Sequence, residues 1–187
     1  MSTLTLIDEE IVLDPKRYIV SKTDEQGIIT YGNDYFVAIS GYKESELIGK
    51  PHSVIRHPHM PKVIFKLLWS RLQSGQNLMA IVKNLAKDGR YYWVMTEFET
   101  KKDKLSNKTV GYTAFRQAAP KYVVKEINTL YQKLNDIENA TSVEDAEKYL
   151  TGYLEDKGLS YDDYINKLVG NEGVMKLFFA AMKKLFR

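Results

Sequence analysis

Leu78-Met79-Ala80-Ile81-Val82-Lys83-Asn84-Leu85-Ala86-Lys87-Asp88-Gly89-Arg90-Tyr91-Tyr92-Trp93-Val94 reads as two strands joined by a tight turn. The flanks are apolar, and the turn residues Lys87-Asp88-Gly89-Arg90 are polar with a glycine. The second strand runs on to Thr100. A basic loop, Lys101 to Lys108, leads into a third strand, Val110 to Gln117. Upstream, Tyr18 to Thr23 and Ile28 to Gly32 form another hairpin around the turn Asp24 to Gly27. Between the two groups lie short helices over Tyr35–Ser40 and Lys43–Leu47, and a longer one from Pro61 to Ser74. Pro61 suits a first helical turn because its missing N–H is not needed there. Two strands, helices, then three strands predict an α+β domain: a five-stranded antiparallel sheet with helices on one face.

All three histidines of the chain fall in Pro51-His52-Ser53-Val54-Ile55-Arg56-His57-Pro58-His59-Met60-Pro61. Proline fixes φ and restricts its preceding neighbour, so this segment is a stiff, polar, cationic wall. Facing a sheet, such a wall suits a flat ligand with polar edges. Asn33 is placed to cap the helix that follows it, and equally to face a ligand. Tyr92 and Trp93 are adjacent on a strand and point to opposite faces, so at most one lines a given pocket. Trp69 sits at helical spacing with Phe65 and Leu72, which favours a core role.

The 187 residues suffice for one ordinary core and an appendage. A net charge of +3 is too mild for a nucleic-acid binder, and none is expected as a partner. There is no cysteine, which removes disulfides, thiolate metal sites and cysteine nucleophiles. No signal peptide is visible, and no apolar run approaches the roughly 20 residues that cross a bilayer. The expected location is therefore cytoplasmic, with peripheral contact at an inner membrane allowed. Pro120 marks a boundary, giving a lead-in over 1–17, a sheet domain over 18–119 and a helical region over 120–187.

Three segments, in order, carry a resemblance. Asn33-Asp34-Tyr35-Phe36-Val37 with Ser40-Gly41-Tyr42 is the first. Gly49-Lys50-Pro51-His52 with Arg56-His57-Pro58 and Met60-Pro61-Lys62 is the second. Ile81-Val82-Lys83-Asn84 with Asp88-Gly89 and Tyr92-Trp93-Val94 is the third. Over roughly Ser21 to Gln117 the chain resembles PAS sensor domains, specifically the flavin-binding PAS domains of the aerotaxis-receptor type and of bipartite energy-taxis systems. The resemblance implies the PAS fold, non-covalent FAD as a redox reporter, and no enzyme activity. It implies cofactor-binding roles for Asn33, His52, Arg56, His57, Asn84 and Trp93. Two positions depart from the pattern: His59 stands where it has Asp, and Leu78 where it has a stacking Trp. Two alternatives stand beside FAD: haem b held through His52 or His57, and a cofactor-free interaction module.

Val123, Ile127, Leu130, Leu134 and Ile137 form an a/d seam that must be buried somewhere. It serves either a docking helix or a helix packed on its own sheet or on the helices that follow. In Val174–Arg187, Lys176, Lys183, Lys184 and Arg187 lie on one side, and Val174, Leu177, Phe178, Ala181, Met182 and Leu185 on the other. That helix either closes a small helical region or lies on an anionic membrane. The aerotaxis receptor itself carries membrane and signalling segments; without them here, the signal is expected to pass in trans to a membrane-bound chemoreceptor of the methyl-accepting type. A homodimer is a further partner to consider.

Overall fold

The computed structural model describes residues 5–170 and 172–186. The expected strands form one sheet: β1 (Ile19–Thr23), β2 (Ile29–Gly32), β3 (Leu78–Leu85), β4 (Tyr91–Lys102) and β5 (Thr109–Ala118). All pairings are antiparallel and the spatial order is β2-β1-β5-β4-β3. Three helices, α1 (Asp34–Ser40), α2 (Glu44–Leu47) and α3 (Lys62–Gln73), fill the interval between β2 and β3. A single 3-10 turn, His52–Ile55, interrupts the histidine segment.

Direct cross-strand partners share a face, so the register sorts the sheet into two. One face carries Ser21, Asn84, Tyr92, Thr96, Ala114 and Arg116. Helix α3 packs toward this side, burying Val63, Ile64, Leu68 and Leu72. The other face carries Val20, Ile81, Trp93, Met95 and Phe115, all buried.

The C-terminal region covers that second face. It comprises α4 (Lys121–Ala140), α5 (Val143–Glu155), α6 (Tyr161–Val169) and α7 (Glu172–Phe186). The seam of α4 buries Val123, Ile127, Leu130 and Leu134. Its Tyr131 stacks on Trp93 with ring centroids 6.3 Å apart, and the hydroxyl donates to the Ile81 carbonyl at 2.8 Å. The seam is therefore spent within the chain, on the sheet and the neighbouring helices. Strand β3 is an edge strand, so its outward carbonyls need such partners.

One basic residue of α7, Lys183, turns inward, while Lys184 stays exposed. Lys183 pairs with Glu97 at 2.8 Å and also with Glu99, both on β4, while Phe179 and Met182 are buried. Ala181 and Leu185, expected on the buried side, are exposed. The side chains of residues 174–178, and Arg187, lie outside the described residues.

Candidate functional site

Between the inner sheet face, the histidine segment and α3 lies a cavity of ≈ 270 Å³. Its walls are mostly apolar: Ile55, Phe65, Leu68, Leu72, Val82 and Phe98. Among the polar lining residues are Ser21, His52, Arg56, Asn84 and Arg116. Trp69 lines it too while remaining 36% exposed, which puts the indole at the mouth. Gly27 faces that indole at φ +78, and a Cβ there would meet Trp69 Cη2 at 3.1 Å. The β1–β2 turn therefore needs a residue that tolerates positive φ and has no side chain.

Arg116 dominates the electrostatics. It sits mid-strand on β5, paired across to Ile19 and Thr96, and is only 2% exposed. Its Nη1–H donates to Ser21 Oγ at 2.9 Å, and its Nη2–H donates to His52 Nε2 at 2.9 Å. Among the described residues no carboxylate lies within 4.0 Å of it. Burial holds its pKa down at about 10, so it stays charged at neutral pH. A buried cation without an anion is costly unless something negative or strongly accepting joins it.

His52 is the neutral counterpart. Guanidinium only donates, so Nε2 must accept and the ring proton sits on Nδ1. Burial, and then the Arg116 charge, lower its pKa to about 3. The ring stacks on Phe36 with centroids 5.9 Å apart.

Asn84 and Tyr92 are direct partners across β3 and β4. Asn84 Nδ2 and the Tyr92 hydroxyl are buried facing each other and meet no partner besides one another, and Thr96 Oγ1 on the same face is buried without one. Burial raises the Tyr92 pKa, so the phenol remains a donor. Arg56 pairs with Asn84 through an antiparallel bridge and lies 3.8 Å over the Phe65 ring. Burial lowers its pKa as well. One wall thus presents two guanidinium groups and the Asn84 amide to a mostly apolar space.

Of the six expected site residues, the fold brings His52, Arg56 and Asn84 to the cavity. It does not bring the other three. Asn33 is spent on backbone: its Oδ1 accepts from Val20 N–H at 3.0 Å and Phe36 N–H at 3.1 Å, and its Nδ2 donates to the Tyr18 carbonyl at 2.8 Å. His57 is buried outside the lining, with Nδ1 accepting from the His59 amide at 3.0 Å. Burial, with Lys83 and His59 nearby, lowers its pKa to about 4. Trp93 points to the opposite face because strand alternation gives the inner face to Tyr92. Arg116 and Ser21 carry no signal in the sequence that marks them for the site. Trp69, whose spacing favours a core role, instead meets Tyr112 edge-on at the mouth, 5.4 Å between centroids. At the two departures, His59 is exposed, and Leu78 is buried opposite Phe98, which itself lines the cavity.

Residues 29–113 match the family model described as the PAS fold. The chain is 40% identical to the aerotaxis receptor of Escherichia coli over 119 residues, 63% of this chain and 23% of that receptor. It is 27% identical to the biofilm dispersion protein BdlA of Pseudomonas aeruginosa over 81 residues, 43% of this chain and 19% of that protein. The chain therefore spans less than a quarter of the length of either relative. A light-oxygen-voltage domain studied with a flavin analogue superposes with a TM-score of 0.52 at 18% identity, covering 62% of this chain and 86% of that one. At that identity the likeness concerns the fold.

Proposed function

This chain carries a PAS domain of the aerotaxis-receptor type, and on that premise we propose that it is a redox sensor for energy taxis, not an enzyme. Its cavity takes the ring of a non-covalent FAD. The observation that carries this reading is the inner wall: a buried, carboxylate-free Arg116 beside Asn84, whose Nδ2 meets nothing but the Tyr92 hydroxyl behind it. A heteroaromatic ring edge rich in acceptors would satisfy both. At ≈ 270 Å³ the cavity is just below the range of about 300–1,000 Å³ typical of ligand pockets, so it suits the ring system and leaves the dinucleotide outside.

Bound flavin supplies a ring whose electron count, charge and protonation change on reduction. The protein's part is to register that change. Arg116 favours negative charge on the ring, because a guanidinium in a low-dielectric wall interacts strongly with it. His52, neutral and holding its proton on Nδ1, fixes the Arg116 fork through Nε2. Asn84 holds the ring edge from β3, and Arg56 is tied to the same residue by the backbone bridge. A change in these contacts biases the sheet, and any bias requires different contacts in the two redox states.

Helix α4 lies on that sheet and does not project from it, which supports output through a surface to a separate membrane-bound chemoreceptor. Among the described residues no helix is long and apolar enough to cross a membrane, in keeping with a cytoplasmic sensor that meets its receptor in trans. Haem is the weaker reading. The His52 Nε2 already accepts from Arg116, and His57 is outside the lining.

The test is the visible spectrum of the purified full chain, before and after addition of FAD and then of dithionite. Flavin bands that bleach on reduction are expected. A Soret band would replace this reading with haem. A protein still colourless after FAD would leave an interaction module.

A further inference from the structure

We propose that the β4–β5 hairpin is a docking device for an anionic lipid surface. It is a site separate from the cavity and does not depend on what the cavity binds. The hairpin loop carries Lys101, Lys102, Lys104 and Lys108 against the single acid Asp103. Its net charge equals that of the whole chain, +3, so the remaining residues sum to zero. The chain's excess charge is thus concentrated at one tip. All four lysines are exposed. Leu105, in their midst, is 98% exposed, the largest value among the exposed apolar side chains. Val110, on the β5 side of the loop, is 40% exposed.

This exposure is built in. Asp103 turns its carboxylate back into the loop, accepting from Ser106 N–H at 2.8 Å, Ser106 Oγ at 2.8 Å and Leu105 N–H at 3.2 Å. Those bonds hold its pKa below the usual carboxylate value. Backbone bonds from Asp103 N–H to the Lys108 carbonyl at 2.8 Å and from Asn107 N–H to the Asp103 carbonyl at 3.0 Å close the loop, with Asn107 at φ 56. The one acid is consumed in making a rigid turn that holds a leucine out between lysines.

The occupant follows from charge and shape. A convex tip with one protruding leucine is a poor fit to a protein partner, whose interfaces take roughly 800 Å² per side. Lysines also bind nucleic-acid phosphates, but single-strand sites add aromatic stacking and duplex sites have no use for a protruding leucine, so a duplex oligonucleotide is the competitor the experiment includes. A bilayer with anionic headgroups accepts both features: the leucine enters the acyl boundary while lysine stems stay at headgroup level. The membrane role considered for the C-terminal helix is weakened where it is described, because Lys183 is paired to Glu97 and Glu99.

The experiment uses the full chain in vesicle flotation. Phosphatidylcholine vesicles are compared with vesicles containing about one-third phosphatidylserine. Binding is expected only to the anionic vesicles and should weaken as salt rises. Lys104→Glu with Lys108→Glu, and separately Leu105→Ser, should each weaken it about tenfold or more. Lys121→Glu with Lys125→Glu makes the same charge change on exposed positions of α4 and should leave most binding intact. Failure of the wild type to float with anionic vesicles at low salt overturns the proposal. So does equal loss in the α4 control. So does undiminished vesicle binding by Leu105→Ser while the lysine variant loses a duplex oligonucleotide, which would mark a general polyanion site.

Discussion

Arg116 is the residue on which the site turns. Its burial without a carboxylate separates function from stability, because an apolar residue of similar volume removes an uncompensated charge. Arg116→Met should leave the cofactor-free protein as stable as the wild type or more so, by up to about 1–4 kcal/mol on denaturant titration. A loss of stability would mean that the cation serves the fold itself. Acid response belongs to this scale too. His52 and His57 have folded pKa values of about 3 and about 4, against 6.5 ordinarily. Between those values the unfolded chain binds more protons, so stability should fall as pH drops below 6.5. Urea midpoints at several pH values check this, and replacing His52 with Gln should flatten the slope. Little of Arg116's role was legible in the sequence. It is one arginine in a strand, and only the pairing with β1 brings Ser21 and His52 to it. Trp93 shows the reverse. Alternation made clear that either it or Tyr92 must face away, but the choice depends on which sheet face the helices cover.

At the scale of elements, α4 joins the C-terminal region to the cavity wall. Glu138 accepts from the first amides of α3, Lys62 N–H at 2.9 Å and Val63 N–H at 2.8 Å, and Asn135 Nδ2 donates to the His59 carbonyl at 2.6 Å. Pro61 precedes α3 and has no capping side chain, so the cap comes from another helix. Glu138→Ala should lower stability by about 1–2 kcal/mol, read as a lower urea midpoint. Glu138→Gln, which keeps one acceptor, should lose less. Element positions were readable because local signals agree with the fold: Asn33, Ser142 and Ser160 cap helices, and Gly41 and Gly170 end them in left-handed conformations. The 3-10 turn and the Glu138 cap were not readable, since each is set by contacts far apart in sequence.

At the scale of the molecule, the sheet is a shared wall between the cavity and the C-terminal helices. Its outer face, with Val20, Trp93, Met95 and Phe115, is buried only because those helices cover it. Ending the chain at Pro120 should expose a contiguous apolar face and give a protein that self-associates with rising concentration on size-exclusion chromatography. A well-behaved monomer of that length would show that the cover is dispensable. The central claim is that a buried cation and the Asn84 amide seat a flavin ring against this wall. Its most direct test is FAD affinity by calorimetric titration of the wild type and of Arg116→Met, with folding verified for both. The account predicts binding to the wild type and at least about tenfold weaker binding to the variant. Equal affinity in the two proteins would contradict it.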